Sequence, residues 1–372
     1  MKLSIAHLSG DGVGPEVTKQ AVKCLQVVGE IFGHKINFKE ALVGEVAMAK
    51  TGEALPDSTL KLCKESDAIL FGTVRNSKNN RDLDGIMKPE SGLIKLRKEL
   101  ELFANIRPVK VFPSLIEKSP LKKSVIKGTD FVVYRELIGG IYHGDKSINK
   151  EKTVATDVCT YSESEISRIA HLAFKAAKVR RNKVSLVDKA NGLETSRLWR
   201  RVVNKISESY PEVTLEELFI EEAVMEMILR PKQFDILLTS NMFGDILSDE
   251  GGVIGGSIGL LPSASVGDKY ALFEPIHEVL LHQKGTNKAN PIASILSAAM
   301  ILDHFGLDEE SRAIVIAVLK SMKKGIVTPD IEKESTYGTE EVGDYIASKI
   351  TDSEENLTFS RENIWLGKST II

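Results

Sequence analysis

Phe234-Asp-Ile-Leu-Leu-Thr-Ser-Asn-Met-Phe-Gly-Asp-Ile-Leu-Ser-Asp-Glu250 is the stretch from which the fold class is read. Phe234 to Thr239 is an apolar run of strand length, and from Asn241 onward Met242, Phe243, Ile246 and Leu247 fall at helical spacing. A strand that feeds directly into a helix is the repeating step of an α/β chain. Asp245 and Asp249 project from one face of that helix. Two hard oxygen donors on one face suit Mg²⁺ or Mn²⁺, which takes one or two carboxylates and leaves its other positions to water and an oxygen-rich substrate. A solvated amphipathic helix accounts for the same spacing. The residues around it decide between the two.

The same strand-to-helix step recurs on both sides. Val184 to Val187 reads as a strand delivering Asp188-Lys189-Ala-Asn191 at its C-terminal end, where open α/β sheets bind ligands. Leu193 to Ser209 reads as helix, Thr214 to Ile220 as strand, and Glu221-Glu222 opens a helix to Leu229. Upstream, Ser162 and Glu165 form a capping-box pattern at the head of a helix reaching Lys178. Asp130 to Leu137 is a strand containing Arg135, and Gly139 to Gly144 is a turn containing Tyr142. Ser91 to Leu100 is a helix with Arg97, followed by a strand with Arg107. Arg75 to Glu90 is a long polar loop, the kind that is often functional.

At the N-terminus Leu3 to Leu8 leads through Gly10-Asp-Gly-Val-Gly14 into a helix beginning at Pro15. These glycines do not make the G-x-G-x-x-G dinucleotide fingerprint, so no Rossmann site is assigned. The loop is open to two readings, a close backbone approach to a ligand or an ordinary strand-to-helix turn. Glycines 251, 252, 255, 256 and 259 are expected to serve packing and turns after the Asp245/Asp249 helix. Helices are expected from Pro291 to Phe305 and from Glu309 to Lys323. The alternation as a whole predicts substantially parallel sheets.

The chain's 372 residues suffice for two domains, and 42% hydrophobic with 27% charged residues is ordinary for a soluble globular protein. A balance of 49 basic and 52 acidic residues, net charge -3, offers no basic surface for nucleic acid. No apolar run reaches membrane-spanning length, so no membrane partner is expected. Cys24, Cys63 and Cys159 form neither a disulfide framework nor a zinc spacing, which points to a reduced, cytoplasmic setting.

Arg97, Arg107, Arg135, Tyr142, Lys189, Glu221, Asp245 and Asp249 are the candidates for chemistry, several of them at strand ends or element junctions. Three guanidinium forks suit a substrate with two carboxylates. A lysine beside a cation can serve as a base, and a tyrosine opposite it as an acid.

The strings ESGLIKLRKELELFANIRP, YRELIGGIYHG, DKANGLETSRLWR, SNMFGDILSDE, GSIGLLPSAS, EPIH and NKANPIASILSAAM resemble those of the isocitrate/isopropylmalate family of metal-dependent β-decarboxylating dehydrogenases. The match runs from GDGVGPE near the start to GTEEVG at Gly338 to Gly343. The resemblance implies a two-domain α/β fold with an interdomain cleft, not a Rossmann fold. It implies a discontinuous first, nucleotide-side domain (residues 1-102 plus 256-350), a second domain (103-255) that holds substrate and metal and forms a homodimer with shared active sites, and a C-terminal extension (351-372). Carried over by position, Arg97, Arg107 and Arg135 hold the substrate carboxylates. Asp245 and Asp249 hold Mg²⁺ or Mn²⁺ with the acid at 221 from the partner chain, and Lys189, also from the partner, takes the hydroxyl proton. Tyr142 protonates the enol left after decarboxylation. Glu274, His277, His282 and Asn290 fall on the NAD side. Leu93 and Ile94 match apolar positions that, in the isopropylmalate branch, face the substrate's branched group. The reaction implied is oxidative decarboxylation of a 3-alkylmalate, 3-isopropylmalate first.

Two departures stand out. Glu221 replaces the family's Asp, adding a methylene and about 1.5 Å of reach. In the loop Glu278 to Asn287, Glu278 stands at a glycine position, and His282 replaces the acid that accepts from the adenosine ribose. His282 and Lys284 suit a 2′-phosphate, which makes NADP possible; drift in a loop with weakened cofactor contact explains them equally. The alternatives are a family member acting on another 3-substituted malate, or a non-catalytic binding paralogue.

Overall fold

The structure of the chain, a computed structural model, describes residues 1-75, 88-277 and 279-351. Most of the expected loop from Arg75 to Glu90 lies outside these residues, as do Glu278 and the tail beyond Thr351. In chain order the elements are β1 (Lys2–Gly10), α1 (Gly14–Phe32), β2 (Lys35–Glu40), α2 (Glu45–Thr51), α3 (Asp57–Lys64), β3 (Ala68–Thr73), α4 (Glu90–Glu99), β4 (Ala104–Lys110), α5 (Lys123–Ile126), β5 (Asp130–Glu136), β6 (Lys146–Ile148), β7 (Ala155–Asp157) and α6 (Glu163–Lys178). There follow β8 (Lys183–Asp188), α7 (Glu194–Ser207), β9 (Thr214–Phe219), α8 (Ile220–Leu229), β10 (Ile236–Thr239), α9 (Asn241–Gly255), β11 (Pro262–Val266), β12 (Ala271–Pro275), α10 (Ile292–His304), α11 (Asp308–Lys324) and α12 (Thr339–Ser348).

The described residues divide into two compact units, one of residues 1-101 with 257-351, the other Leu102–Gly256. In the first, the strand order is β2-β1-β3-β12-β11, parallel except for β11 against β12. β3 is buried along its whole length, which is why AILFGT carries no polar alternation. The β11/β12 pair departs from the parallel expectation because Gly267 N–H closes on Tyr270 O at 2.9 Å, and so short a connection can join only antiparallel strands. α10 is apolar on every side and buried from Ile292 to Leu302, as a helix inside a core must be. α1 has Pro15 in its first turn and stops at Gly33, whose φ of 72° continues no helix.

In the second unit the order is β4-β5-β10-β8-β9, with β4 antiparallel to β5 and the rest parallel. Arg135, Thr239 and Val187 share one register across β5, β10 and β8, so these strands end together. α6 begins with the expected capping box at Ser162 and Glu165. α9, expected to end near Glu250, continues to Gly255 and takes in three of the glycines assigned to turns and packing. Packing explains the extension. A Cβ at Gly244 would lie 2.6 Å from Arg135 Cβ, and one at Gly251 2.6 Å from Val109 Cγ2. Bare backbone on this face lets the helix lie directly on β4 and β5.

Candidate active site

Asp245 and Asp249 share one face of α9, and two arginines from the strands beneath rise to meet them. Arg135, at the end of β5 and almost fully buried, donates from Nη1 to Asp245 Oδ1. Arg107, on β4, has Nη1 at 3.7 Å from both Asp245 Oδ1 and Asp249 Oδ1, and donates to Ser248 Oγ at 2.6 Å and from Nε to Asn105 Oδ1 at 2.6 Å. Buried guanidinia whose forks are held by neutral oxygens keep their charge and orientation. The carboxylates are the more exposed partners, 36% for Asp245 and 62% for Asp249, so their oxygens remain open to solvent.

Tyr142 is delivered by the turn after β5. Its hydroxyl donates to Asp245 Oδ2 at 3.3 Å, and Arg135 lies 5.9 Å from its ring centre. Burial and the Asp245 charge both push the phenol above its ordinary range, so it keeps its proton at neutral pH. The turn is held from below by Glu136, which accepts from Ile138 N–H at 3.1 Å and Gly139 N–H at 2.8 Å. Burial pushes the Glu136 carboxyl up to about 7.

Lys189 and Glu221 meet each other: the lysine Nζ donates to Glu221 Oε1, and that bond holds the glutamate below its usual range. Asp188 pairs with Phe219 across β8 and β9, so the ends of these strands bring the lysine and the first turn of α8 side by side. Arg200 fixes the lysine's base, donating to Asp188 Oδ2 at 2.7 Å and Oδ1 at 3.1 Å, while Lys189 N–H donates to Ser196 Oγ at 3.1 Å. Among the described residues of the single chain, no three acid, histidine or cysteine side chains gather as a metal site.

The other candidates belong to the first unit. Arg97 Nη2 donates to Glu274 Oε1 at 2.6 Å, so a residue assigned to substrate and one assigned to cofactor form an ion pair. On α4, Leu96 is buried while Ile94 is 49% exposed and Leu93 half-buried, which turns this pair away from the helix's core face. His277 is buried, His282 exposed, and Asn290 donates to Asp330 Oδ2 at 3.0 Å while accepting from Ile292 N–H at 3.0 Å. Glu16 draws in the loop before Asn290, accepting from Gly285 N–H at 2.5 Å and Asn287 N–H at 3.2 Å. The Gly10–Gly14 loop is a packed turn: Asp11 accepts from the backbone of Glu45, Val46 and Arg75, and Val13 N–H donates to Val279 O at 3.2 Å.

Sequence reasoning missed Asn241, Ser248, Asn105 and Arg200. Asn241 and Ser248 lie on the acid-bearing helix, and their spacing from Asp245, four residues before it and three after, was their one available signal.

Two carboxylates on one helix face, met by buried guanidinia from the sheet beneath, make a charged cluster suited to an enzyme of an α/β framework. The chain belongs to the isocitrate/isopropylmalate dehydrogenase family, which it matches over residues 4–346. It is 48% identical to the 3-isopropylmalate dehydrogenase of Aquifex aeolicus, over 94% of this chain and 97% of that one, and 48% identical to that of Wolinella succinogenes, over 93% and 98%. Among solved structures, isocitrate dehydrogenase from Methylococcus capsulatus is similar with a TM-score of 0.85 at 31% identity, covering 94% of this chain and 99% of that one. The β-decarboxylating dehydrogenase of Thermococcus kodakarensis is similar at 0.79 and 32%, covering 96% and 98%. The family is metal- and NAD-dependent and acts on small dicarboxylates. No helix among the described residues is long and apolar enough to cross a membrane.

Proposed function

We propose that the chain catalyses oxidative decarboxylation of 3-isopropylmalate to 2-oxo-4-methylpentanoate with reduction of a nicotinamide cofactor, the oxidation step of leucine biosynthesis. The observation that supports this most is the convergence of Arg107 and Arg135 on the Asp245/Asp249 face of α9, in a chain 48% identical to a 3-isopropylmalate dehydrogenase.

The acids fit a divalent cation: both are partly exposed, both offer hard oxygen, and both stand on one helix face. A cation there supplies Lewis-acid stabilisation of charge on the substrate C2 oxygen, and a nicotinamide ring supplies the hydride acceptor. Asp245 and Asp249 would hold the cation, Mg²⁺ or Mn²⁺, with Glu221 of the partner subunit as third ligand. Lys189 of the partner subunit takes the C2 hydroxyl proton as the C2 hydrogen leaves as hydride. Arg107 and Arg135 grip carboxylates, and Arg97 has the same role in the first unit, where Leu93 and Ile94 face the isopropyl branch. When the C3–carboxylate bond breaks and CO₂ leaves, its electron pair stays on the carbon skeleton, and Tyr142 gives its proton to C3.

The surface of α8 and α9 supports a homodimer. Met225, Ile228 and Leu229 on α8 and Ile246 and Val253 on α9 are large apolar side chains left in solvent, and a second copy would cover them. NAD is the cofactor proposed; the phosphate of NADP would find His282 and Lys284, so both belong in the assay.

Purified protein with Mg²⁺ or Mn²⁺ is expected to reduce a nicotinamide nucleotide in the presence of 3-isopropylmalate. Absence of turnover with either nucleotide, over a panel of 3-substituted malates, overturns the proposal.

A further inference from the structure

We infer that Asn241 is a positioning residue that couples the Arg135 guanidinium to the turn carrying Tyr142, so that one buried amide sets both the carboxylate grip and the proton donor. This rests on the roles proposed above for Arg135 and Tyr142.

Asn241 is the first residue of α9 and is 1% exposed. Its Oδ1 accepts from Arg135 Nε at 3.0 Å and Nη2 at 2.8 Å, and its Nδ2 donates to Leu137 O at 3.0 Å and Gly139 O at 3.2 Å. Both halves of the amide are therefore engaged twice. The reverse orientation would set an NH₂ against the guanidinium and an oxygen against two carbonyls, so the chemistry of the neighbours admits only one. The Asn241 N–H donates to Tyr161 Oη at 2.9 Å, which fixes the residue itself.

The turn begins where Asn241 holds it. Glu136 secures the amides of Ile138 and Gly139, and Asn241 secures the carbonyls of Leu137 and Gly139. Beyond them, Gly140 N–H bonds Thr160 O at 3.1 Å, and the N–H groups of His143 and Gly144 return to Gly140 O. Tyr142 sits within this closure and reaches Asp245 Oδ2, while Arg135 reaches Asp245 Oδ1. Asn241, Arg135, Asp245, Tyr142 and the turn thus form a closed circuit. Helix capping does not account for the asparagine, because the N-cap of α9 is Ser240 and Asn241 is already inside the helix. Only a carboxamide offers two donors to the carbonyls and an acceptor to the guanidinium at this reach.

The test combines hydrogen exchange with a double-mutant cycle. In Asn241→Leu, amide exchange across residues 137-144 is expected to quicken by about tenfold or more while β10 is unchanged. With 3-isopropylmalate, kcat is expected to fall on the order of 100-fold, and the loss to shrink to about tenfold in a Tyr142→Phe background, where only the share carried through Arg135 remains. Unchanged exchange in the turn, or a kcat loss that adds independently of Tyr142, overturns the inference. Asn241→Asp, which keeps the acceptor for Arg135 and loses the donors to the turn, gives the same two readings should the leucine variant fail to fold. Wild-type protein without turnover would sink the proposed reaction, and the exchange arm would still decide the role of Asn241.

Discussion

Lys189 Nζ is hydrogen-bonded to Glu221 Oε1, thirty-two residues along the chain. The proposed base and the position at which the chain departs from its family's aspartate are therefore in contact within one subunit. Glutamate carries its carboxylate about 1.5 Å further from the backbone than aspartate does.

Glu221→Asp is expected to shift metal dependence, because the shorter side chain loosens its hold on Lys189 and changes the reach of the third carboxylate. Titrations of activity with Mg²⁺ and Mn²⁺ check this. Curves superimposable on wild type would remove Glu221 from the metal set.

Lys189→Ala is expected to lower kcat by about 100-fold or more, the scale of a lost general base. Calorimetric affinity for 3-isopropylmalate should stay measurable, since the arginine grips remain. Activity within threefold of wild type would take Lys189 out of the mechanism.

Glu136 predicts a pH dependence of stability. Its folded pKa of about 7 lies above the ordinary 4.5, so the folded state binds the proton more tightly than the unfolded one. Stability should therefore fall as pH rises from about 4.5 to about 7, by up to about 3 kcal/mol. Glu136→Gln should flatten that slope in urea unfolding curves, whatever it does to absolute stability through the turn amides. An unaltered slope would contradict a buried, proton-retaining Glu136.

Gly251→Val is expected to destabilise the protein by about 1–3 kcal/mol, because a Cβ there falls 2.6 Å from Val109 Cγ2 and forces α9 off the sheet. The gain in helix propensity over glycine is under about 1 kcal/mol and does not offset it. A melting temperature equal to wild type would show that the helix has room to shift.

Much of the chain was legible in its sequence for local reasons. Hydrophobic period, caps and breakers act within a few residues, so the strand ending at Thr239 (expected from Phe234, found from Ile236), the capping box at Ser162 and the acid stripe Asp245/Asp249 could be read directly. α9 was read too short because glycine is a poor helix former in isolation, and only contact with Arg135 and Val109 makes it the required residue there. The antiparallel β11/β12 pair had no periodic signature to distinguish it from a parallel one.

By itself, then, the sequence determined the α/β alternation, the two acids on one helix face and the family to which the residues point. The tertiary structure decided which groups meet: Arg97 with Glu274, Lys189 with Glu221, and Asn241 between Arg135 and the Tyr142 turn. The physical reason is range. Propensity and pattern act over a turn or two of chain, whereas a hydrogen bond between residues about a hundred positions apart exists only after strand order and register have brought their ends together.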